Sequence, residues 1–222
     1  AGPDDPGVDR FLIEPRIVDI MGLRDVGSID GFDVVVLADV PRLPAKLAGE
    51  LAAYVYNGGG LLVAPGENVQ ADFYNTWWME TGGKVMPAEI GGRMIPKPGE
   101  EAKLALTTLE HRAFRSIREN SGSDIGAVVL SAYWRLSDGS REKTVAAGAR
   151  MNNGDVFLAE RRLGGGIVLL TACSLDNRGG NLAGCNSFVP LVHELVYYLS
   201  NPARPNLNVM PGPETTLRLA AR

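Results

Sequence analysis

Polar side chains follow three apolar segments that are typical of buried strands. This position matters because α/β sheets bind ligands in the crevice at the carboxyl ends of their parallel strands. Carboxylates and amides at that edge can hydrogen-bond a small molecule or a sugar. The sequence therefore predicts a candidate ligand-binding crevice formed by Asp39, Glu67, Asn68, Asp176, Asn177 and Asn181.

Cys173 is a candidate nucleophile, because it stands at the carboxyl end of a buried strand. Thiol catalysis also needs a base within hydrogen-bond reach, and Arg178 is the one basic residue that follows closely. Three roles are open to this residue: a catalytic nucleophile, an inert buried thiol, or half of a disulfide with Cys185. Two cysteines permit one bridge but no disulfide framework.

The two histidines are predicted to be structural. His193 and Glu194 are neighbours in an apolar helix, where successive side chains diverge by about 100° and cannot act on one group. His111 stands at the start of a short helix, a position that indicates capping or packing. The sequence therefore predicts no catalytic residue, and a catalytic triad is not recognisable.

Composition argues against metals, cofactors and nucleic acid. Two histidines and two cysteines give no zinc-type spacing. The glycine runs 58–60 and 164–166 precede strands, whereas a phosphate-binding loop follows one. The net charge is −4 and no Lys/Arg run exceeds two residues, so nucleic acid is a poor partner. We expect no cofactor and no metal.

The central stretch, residues 33–66, has the pattern of a strand, a helix and a second strand. Residues 34–37 are a continuous apolar run, typical of a strand buried on both faces. Apolar residues at helical spacing follow Pro44, and residues 61–64 form the next buried strand. Strands joined in this way are parallel, which places the chain in the α/β class.

The rest of the chain extends this unit. Residues 11–20 are predicted to form an edge strand, and residues 84–163 alternate short apolar runs with turns, which indicates an antiparallel insertion or sheet extension. Residues 167–172 are a further buried strand, and Ser187 begins a last helix. With 222 residues, we expect one domain over residues 1–202 and a tail or linker over 203–222.

Four segments together resemble a known family: DVVVLADVPRL, YVYNGGGLLVAPGENVQADFYN, ERRLGGGIVLLTACSLDNRGGNL and SFVPLVHELVYYL. They are similar to the domain, related to class I glutamine amidotransferases, that occurs in large bacterial membrane proteins with a von Willebrand A module, the aerotolerance-type proteins. The resemblance covers residues 10–201.

This resemblance implies a flavodoxin-like α/β fold and an extracytoplasmic (periplasmic) domain of a membrane-anchored protein. Its partners would be other protein domains of the same envelope assembly, and it would meet the membrane only through segments outside this chain. Flavodoxin-like sheets place their first strand centrally. We therefore expect that strand upstream of residue 1, or residues 11–20 in its place.

The resemblance also bears on activity, because these amidotransferases carry a cysteine on a sharp turn after a central strand. The corresponding turn here, residues 64–68 (APGEN), has no thiol or hydroxyl. The expected function is a non-catalytic interaction or scaffolding domain of a bacterial envelope protein, without glutaminase or esterase activity. A small-molecule or sugar-binding module and a divergent hydrolase or amidotransferase are the alternatives.

Overall fold

The computed structural model describes residues 13–19, 22, 28–80, 85–138 and 145–201. The strands within these residues are β1 (Val34–Ala38), β2 (Gly60–Ala64), β3 (Ile90–Met94), β4 (Ala102–Lys103), β5 (Val129–Leu130), β6 (Tyr133–Leu136), β7 (Val145–Arg150), β8 (Val156–Leu163) and β9 (Gly166–Thr171). The α-helices are α1 (Ala45–Tyr56), α2 (Ala71–Glu80), α3 (Arg115–Glu119) and α4 (Phe188–Ser200).

A five-stranded sheet with the order β1-β2-β9-β8-β7 forms the centre of the fold. β1, β2 and β9 are mutually parallel, while β8 and β7 continue the sheet in antiparallel fashion. The predicted mixed α/β class is therefore confirmed. The finer expectation of a flavodoxin-like sheet is not confirmed, because three of the five strands are parallel and the other two are not.

The core lies under the two central parallel strands. Every residue of β2 and of β9 is buried, because α1 contacts β9 and α4 contacts β1, β2 and β9. β1 is different, since β2 is its only partner among the strands that the structure describes. Leu37 is buried, but Val36 remains 44% exposed, so the prediction of a strand buried on both faces is wrong for β1.

The strand predicted over residues 11–20 is also wrong where the structure describes it. Residues 13–19 have no regular structure, and Ile17 is 92% exposed; residues 11, 12 and 20 lie outside the described residues. Pro15 lacks the N–H that a ladder needs. Residues 13–19 have therefore not moved into the sheet in place of a first strand.

The region between β2 and β9 is antiparallel, as expected. β3 pairs with β6 and β4 with β5 in two small sheets, while β7 and β8 join the main sheet. This region is thus partly an insertion and partly a sheet extension. The tail over 203–222 falls outside the described residues. Within the described ranges, no helix has the length and apolar character that crossing a membrane requires.

Candidate functional site

A shallow crevice with room for about one water molecule, about 10 Å³, opens at the carboxyl ends of the parallel strands. Its floor comes from the segments that follow β2 and β9, and its wall comes from β3 and β6. The lining includes Gly66, Glu67, Arg93, Trp134, Ser174 and Arg178. Four segments that are distant in the chain therefore line one site, and Asp39 after β1 contacts its Arg178.

Asp39 links the first two strands at this edge. Its carboxylate accepts hydrogen bonds from the backbone N–H of Asn68 at 2.9 Å and from the Asn68 amide at 2.7 Å, and its side chain is 10% exposed. Its φ of 50° lies in the left-handed region, which costs a non-glycine residue about 1–3 kcal/mol. A Cβ at Gly66 would clash with the Asp39 carboxyl, so this turn needs glycine.

Arg178 joins Asp39 to the loop after β9. Its Nη1 lies 3.5 Å from Asp39 Oδ2, and its Nε donates to Asp176 Oδ2 at 2.7 Å. Ser174 Oγ donates to the other oxygen of Asp176 at 2.7 Å. Burial raises the pKa of Asp176, but the hydrogen bonds from Ser174 and Arg178 outweigh it and hold this pKa below its ordinary value. The carboxylate is therefore ionised at neutral pH.

Arg93 and Trp134 form the opposite wall. They are direct cross-strand partners between β3 and β6, so their side chains leave the same face. Arg93 Nη2 donates to Glu67 Oε1 at 3.0 Å, and Trp134 Nε1 donates to the carbonyl of Gly66 at 3.0 Å. Both contacts fasten this wall to the turn after β2.

The structure brings most of the predicted crevice residues together, although their binding role stays a prediction. Asp39, Asn68 and Asp176 form one connected network with Arg178, and Glu67 faces them from the lining. Asn177 follows Asp176 and is exposed.

The prediction that Asn181 contributes to the crevice is not supported, because its side chain bonds elsewhere. Its Oδ1 accepts from Val129 N at 2.7 Å and its Nδ2 donates to the carbonyl of Ala127 at 3.1 Å. Both ends of the amide are thus used to fasten the loop to the β5 segment. The prediction failed because the sequence does not show which strand this loop would meet.

Sequence reasoning did not place Arg93, Trp134, Ser174 or Arg178 in the crevice, and all four line it. Arg93 and Trp134 lie in the antiparallel region, whose pairing cannot be read from one sequence. The Ser174, Asp176, Arg178 spacing did carry a signal, since aspartate commonly bonds the backbone two residues on, and Arg178 N does donate to Asp176 Oδ1 at 2.9 Å.

Cys173 is a buried thiol at the end of β9. It is 2% exposed, and burial, with a smaller contribution from Asp176, raises its pKa to about 12. A thiol that stays protonated at neutral pH is a poor nucleophile. Of the three roles open to this residue, the structure supports the non-reactive one.

The bridge to Cys185, one of the three roles left open for Cys173, is not formed, because both thiols are free. The loop between them pairs with the β5 region instead of folding back on itself: Gly179 O accepts from the N–H groups of Ser131 and Ala132, and Gly180 bridges Leu130. The glycine-rich loop was expected to be free to bring its ends together, and these hydrogen bonds prevent it.

The two histidines lie in different surroundings, and the capping predicted for His111 is the role that the structure shows. His193 is exposed on α4. His111 Nδ1 accepts from Ala113 N at 3.2 Å, which caps the short helix, and Nε2 donates to Glu160 Oε2 at 2.7 Å. The parts of the chain that the structure describes contain no group of three or more side chains arranged to hold a metal ion.

Fold and crevice together define a mixed α/β domain with a shallow, charged crevice at the carboxyl edge of its parallel strands. No family model and no curated protein matches the chain. Among solved structures, it is similar to two Salmonella typhimurium proteins. The cytoplasmic protein STM3548 shows a TM-score of 0.59 at 18% identity, over 77% of this chain and 72% of that one. The cytoplasmic protein STM1381 shows 0.58 at 19% identity, over 76% and 72%.

These similarities support the fold alone, because both identities are below 25%. An exo-β-1,4-mannosidase from an Opitutaceae bacterium matches 77% of this chain but 25% of its own, with 15% identity and a TM-score of 0.46, too low to carry an argument.

The expected extracytoplasmic placement is contradicted, since both Salmonella proteins are described as cytoplasmic. Neither is described as amidotransferase-like or as a von Willebrand module, so the family resemblance stays a prediction.

Proposed function

We propose that this chain is a non-catalytic binding domain whose crevice holds a small polar molecule. One observation carries this proposal: Asp39, Glu67 and Asp176, from three different strand ends, meet Arg93 and Arg178 around one opening. Parallel sheets bind ligands at this edge. The strained backbone of Asp39 fits the same interpretation, because such strain concentrates at functional sites.

The absence of catalysis rests on the chemistry of the same edge. Acyl transfer needs a nucleophile, a base and oxyanion donors together. The turn over residues 64–68 offers backbone N–H groups but no hydroxyl or thiol, and the Asn68 N–H is already bonded to Asp39. Cys173 is protonated and buried. We expect neither glutaminase nor esterase activity.

Thermal unfolding with a panel of small polar molecules tests this function. A ligand that binds the folded state stabilises it by mass action, by about 2.7 kcal/mol at a hundred times Kd. We expect at least one compound to raise Tm, and Arg178→Gln to remove that increase. Arg115→Gln is the matched control, because Arg115 pairs with Glu119 on an exposed helix surface.

Two results would contradict the proposal. One is a panel in which nothing raises Tm, or in which Arg178→Gln keeps the full increase. The other is turnover of glutamine or of an activated ester that disappears in Cys173→Ala, which would restore the enzyme alternative.

A second candidate is an interaction domain, favoured by the outer edge of β1. Asp33 O accepts from Gly60 N and Asp39 N donates to Ala64 O, so alternation along the strand turns the backbone groups of Val34, Val36 and Ala38 outward. No described residue pairs with them. We propose that an extended apolar strand running parallel to β1 covers this edge, because an uncovered edge strand readily pairs with a further strand.

Amide hydrogen exchange tests whether that edge is available. The N–H of Val36 should exchange fast in the isolated chain, whereas the N–H groups of Val35 and Leu37 point to β2 and should be protected. Protection of Val36 equal to that of Val35 would show that the edge is already covered, and would remove this candidate.

A further inference from the structure

We infer that the partner of the β1 edge is a polypeptide that brings a helix together with its strand, and that this helix docks in an apolar groove between β1 and α4. This inference rests on the second candidate function, the interaction domain, and names the kind of partner that it takes. It follows from the face of β1 that stays open, from the flank of α4 beside it, and from the width of a helix compared with that of a strand.

One face of β1 is only partly covered by α4. A Cβ at Gly60, the first residue of β2, would clash with Leu199, so Gly60 faces α4. Val34 is the register partner of Gly60, and alternate residues of a strand share a face, so Val34, Val36 and Ala38 face α4 as well. Although α4 contacts β1, Val36 stays 44% exposed and Ala38 is exposed too.

The two flanks of α4 differ. One flank faces β8, because Tyr198 OH donates to Glu160 Oε2 in that strand at 2.7 Å. At about 100° per residue, the opposite flank carries Val189, Val192 and Val196. Since β1 and β8 lie on opposite sides of β2 and β9, this valine flank is turned toward β1. Val189 is 60% exposed, and the other two valines are only partly buried.

The valine flank lies at the same height as the open part of β1. A helix rises about 1.5 Å per residue, so Val196 and Val192 lie about 4.5 Å and 10.5 Å from Leu199 toward the carboxyl ends of the strands. A strand rises about 3.3 Å per residue, so Val36 lies about 6.6 Å from Val34 in the same direction. Val36 therefore stands between the heights of the two valines. We call this surface the β1–α4 groove; its members are uncharged, namely Val36, Ala38, Val189, Val192 and Val196.

The width of the groove indicates a helix. An α-helix is about 10–12 Å across with its side chains, whereas neighbouring strands lie about 4.8 Å apart, so one helix covers about two strands. When a strand is added beside β1, the open width is that of β1 and the added strand together. Parallel strands are covered by helices on both faces, so the partner needs one helix, which packs beside α4.

The ends of the chain itself cannot supply this unit. A strand as long as β1, a turn and a helix as long as α4 need about 20 residues without an internal proline. Within residues 1–12 and 202–222, the longest proline-free run is 214–222. The occupant is therefore a partner polypeptide, in which an extended apolar segment is joined to a helix with large apolar side chains at every third or fourth position.

Methyl NMR of the chain, titrated with synthetic peptides, tests this inference. The full probe has a strand of alternating valine and threonine, a glycine turn, and a helix of about 14 residues with leucine at i, i+3, i+4 and i+7. The strand alone and a full probe with a scrambled helix are the comparison peptides. We expect saturable shifts of the Val36, Val192 and Val196 methyl groups, with an affinity at least about tenfold above that of the strand alone. The methyl groups of Val63 and Val168, which are buried in β2 and β9, should not shift.

Two variants locate the helix. Val192→Lys places a charge in the groove and should weaken the full probe about tenfold or more, while the affinity of the strand alone stays the same. Ile95→Lys is the matched control, because Ile95 is 71% exposed just after β3 and lies outside the groove. The comparison of the three peptides uses the unmodified chain, so it decides the matter even where a variant unfolds.

The outcomes separate this inference from the candidate function on which it rests. Equal affinity for the strand alone, or for the scrambled probe, would overturn the helix and leave an interaction domain. Silence with every peptide would overturn the helix too, and a protected Val36 N–H would then remove the interaction domain with it. A dimer that shields the groove without any peptide would identify a second copy as the occupant and overturn the partner.

Discussion

Glu160 shows how a single buried carboxylate is stabilised in this fold. It lies in β8 with a side chain that is 10% exposed, and its Oε2 accepts from His111 Nε2 and from Tyr198 OH, each at 2.7 Å. Burial raises the pKa of Glu160, but these hydrogen bonds and the nearby Arg162 outweigh it, so this pKa lies below its ordinary value of 4.5. Glu160 is therefore ionised, and it links β8 to the short helix capped by His111 and to α4 through Tyr198.

This shift predicts a pH-dependent stability. Because the folded-state pKa is lowered, the stabilising contribution is present above the unfolded-state pKa of 4.5 and is lost as pH falls through the folded-state value. Glu160→Gln should lower the free energy of unfolding by about 2 kcal/mol at pH 7, and the difference from the unmodified chain should shrink below pH 4.5. Urea unfolding at both pH values measures it.

Glu119→Gln is the control for this experiment. Glu119 pairs with Arg115 at 3.0 Å, but both side chains are at least 60% exposed, so its loss should cost less than about 0.5 kcal/mol. A deficit in Glu160→Gln that stays constant with pH would mean that the cost arises from packing and not from the ionised carboxylate.

The role of a single residue could be predicted from the sequence where it depends on residues close to it in the chain. The cap at His111 and the missing nucleophile at residues 64–68 could both be read from near neighbours. The ion pairs of Arg93 and Arg178 could not, because Glu67 lies 26 residues from Arg93 and Asp39 lies on another strand. Pairing at such distances is decided by strand order, which one sequence does not supply.

At the scale of elements, Gly166 controls how β9 enters the sheet. Its Cα lies against the carbonyl oxygens of Val55 and Gly59, at the end of α1 and before β2, and a Cβ would clash with both. The glycine run before β9 is thus a turn, as predicted, and also a packing contact.

Gly166→Ala should therefore destabilise the chain by about 1–3 kcal/mol, the usual cost of overpacking. Gly165→Ala is a matched control one residue away, since its Cβ would lie 3.4 Å from Gly58 Cα, an ordinary contact. Thermal unfolding of the two variants measures the difference. Equal Tm values would mean that α1 can shift away from β9 at little cost.

Strands could be predicted from the sequence where both of their faces are buried, because such strands are continuous apolar runs. β2 and β9 are apolar runs buried on both faces, and both match their patterns. β1 has the same apolar pattern, yet it forms an edge of the sheet. An apolar run indicates a preference for burial, but it does not show how many strands will pair with it. The antiparallel character of the middle region followed from its turns, whereas the addition of β7 and β8 to the main sheet did not.

For the whole molecule, the pairing of β2 with β9 joins two halves of the chain. The first half contains β1, α1 and β2, and the second contains β7, β8, β9 and α4. They meet along one parallel ladder, where Thr171 Oγ1 also donates to Val63 O at 3.4 Å across 108 residues of sequence. The crevice lies at the end of this ladder and exists only when both halves are in place.

This long-range ladder has a consequence for how the protein is made. During synthesis at about 5–20 residues per second, β2 leaves the ribosome roughly 5–20 s before β9 can pair with it. Throughout that interval the edge of β2 that faces away from β1 lacks the strand that will cover it. Closing so large a loop also slows folding toward the range of about milliseconds to seconds. The nascent first half is therefore the stage at which a chaperone would help most.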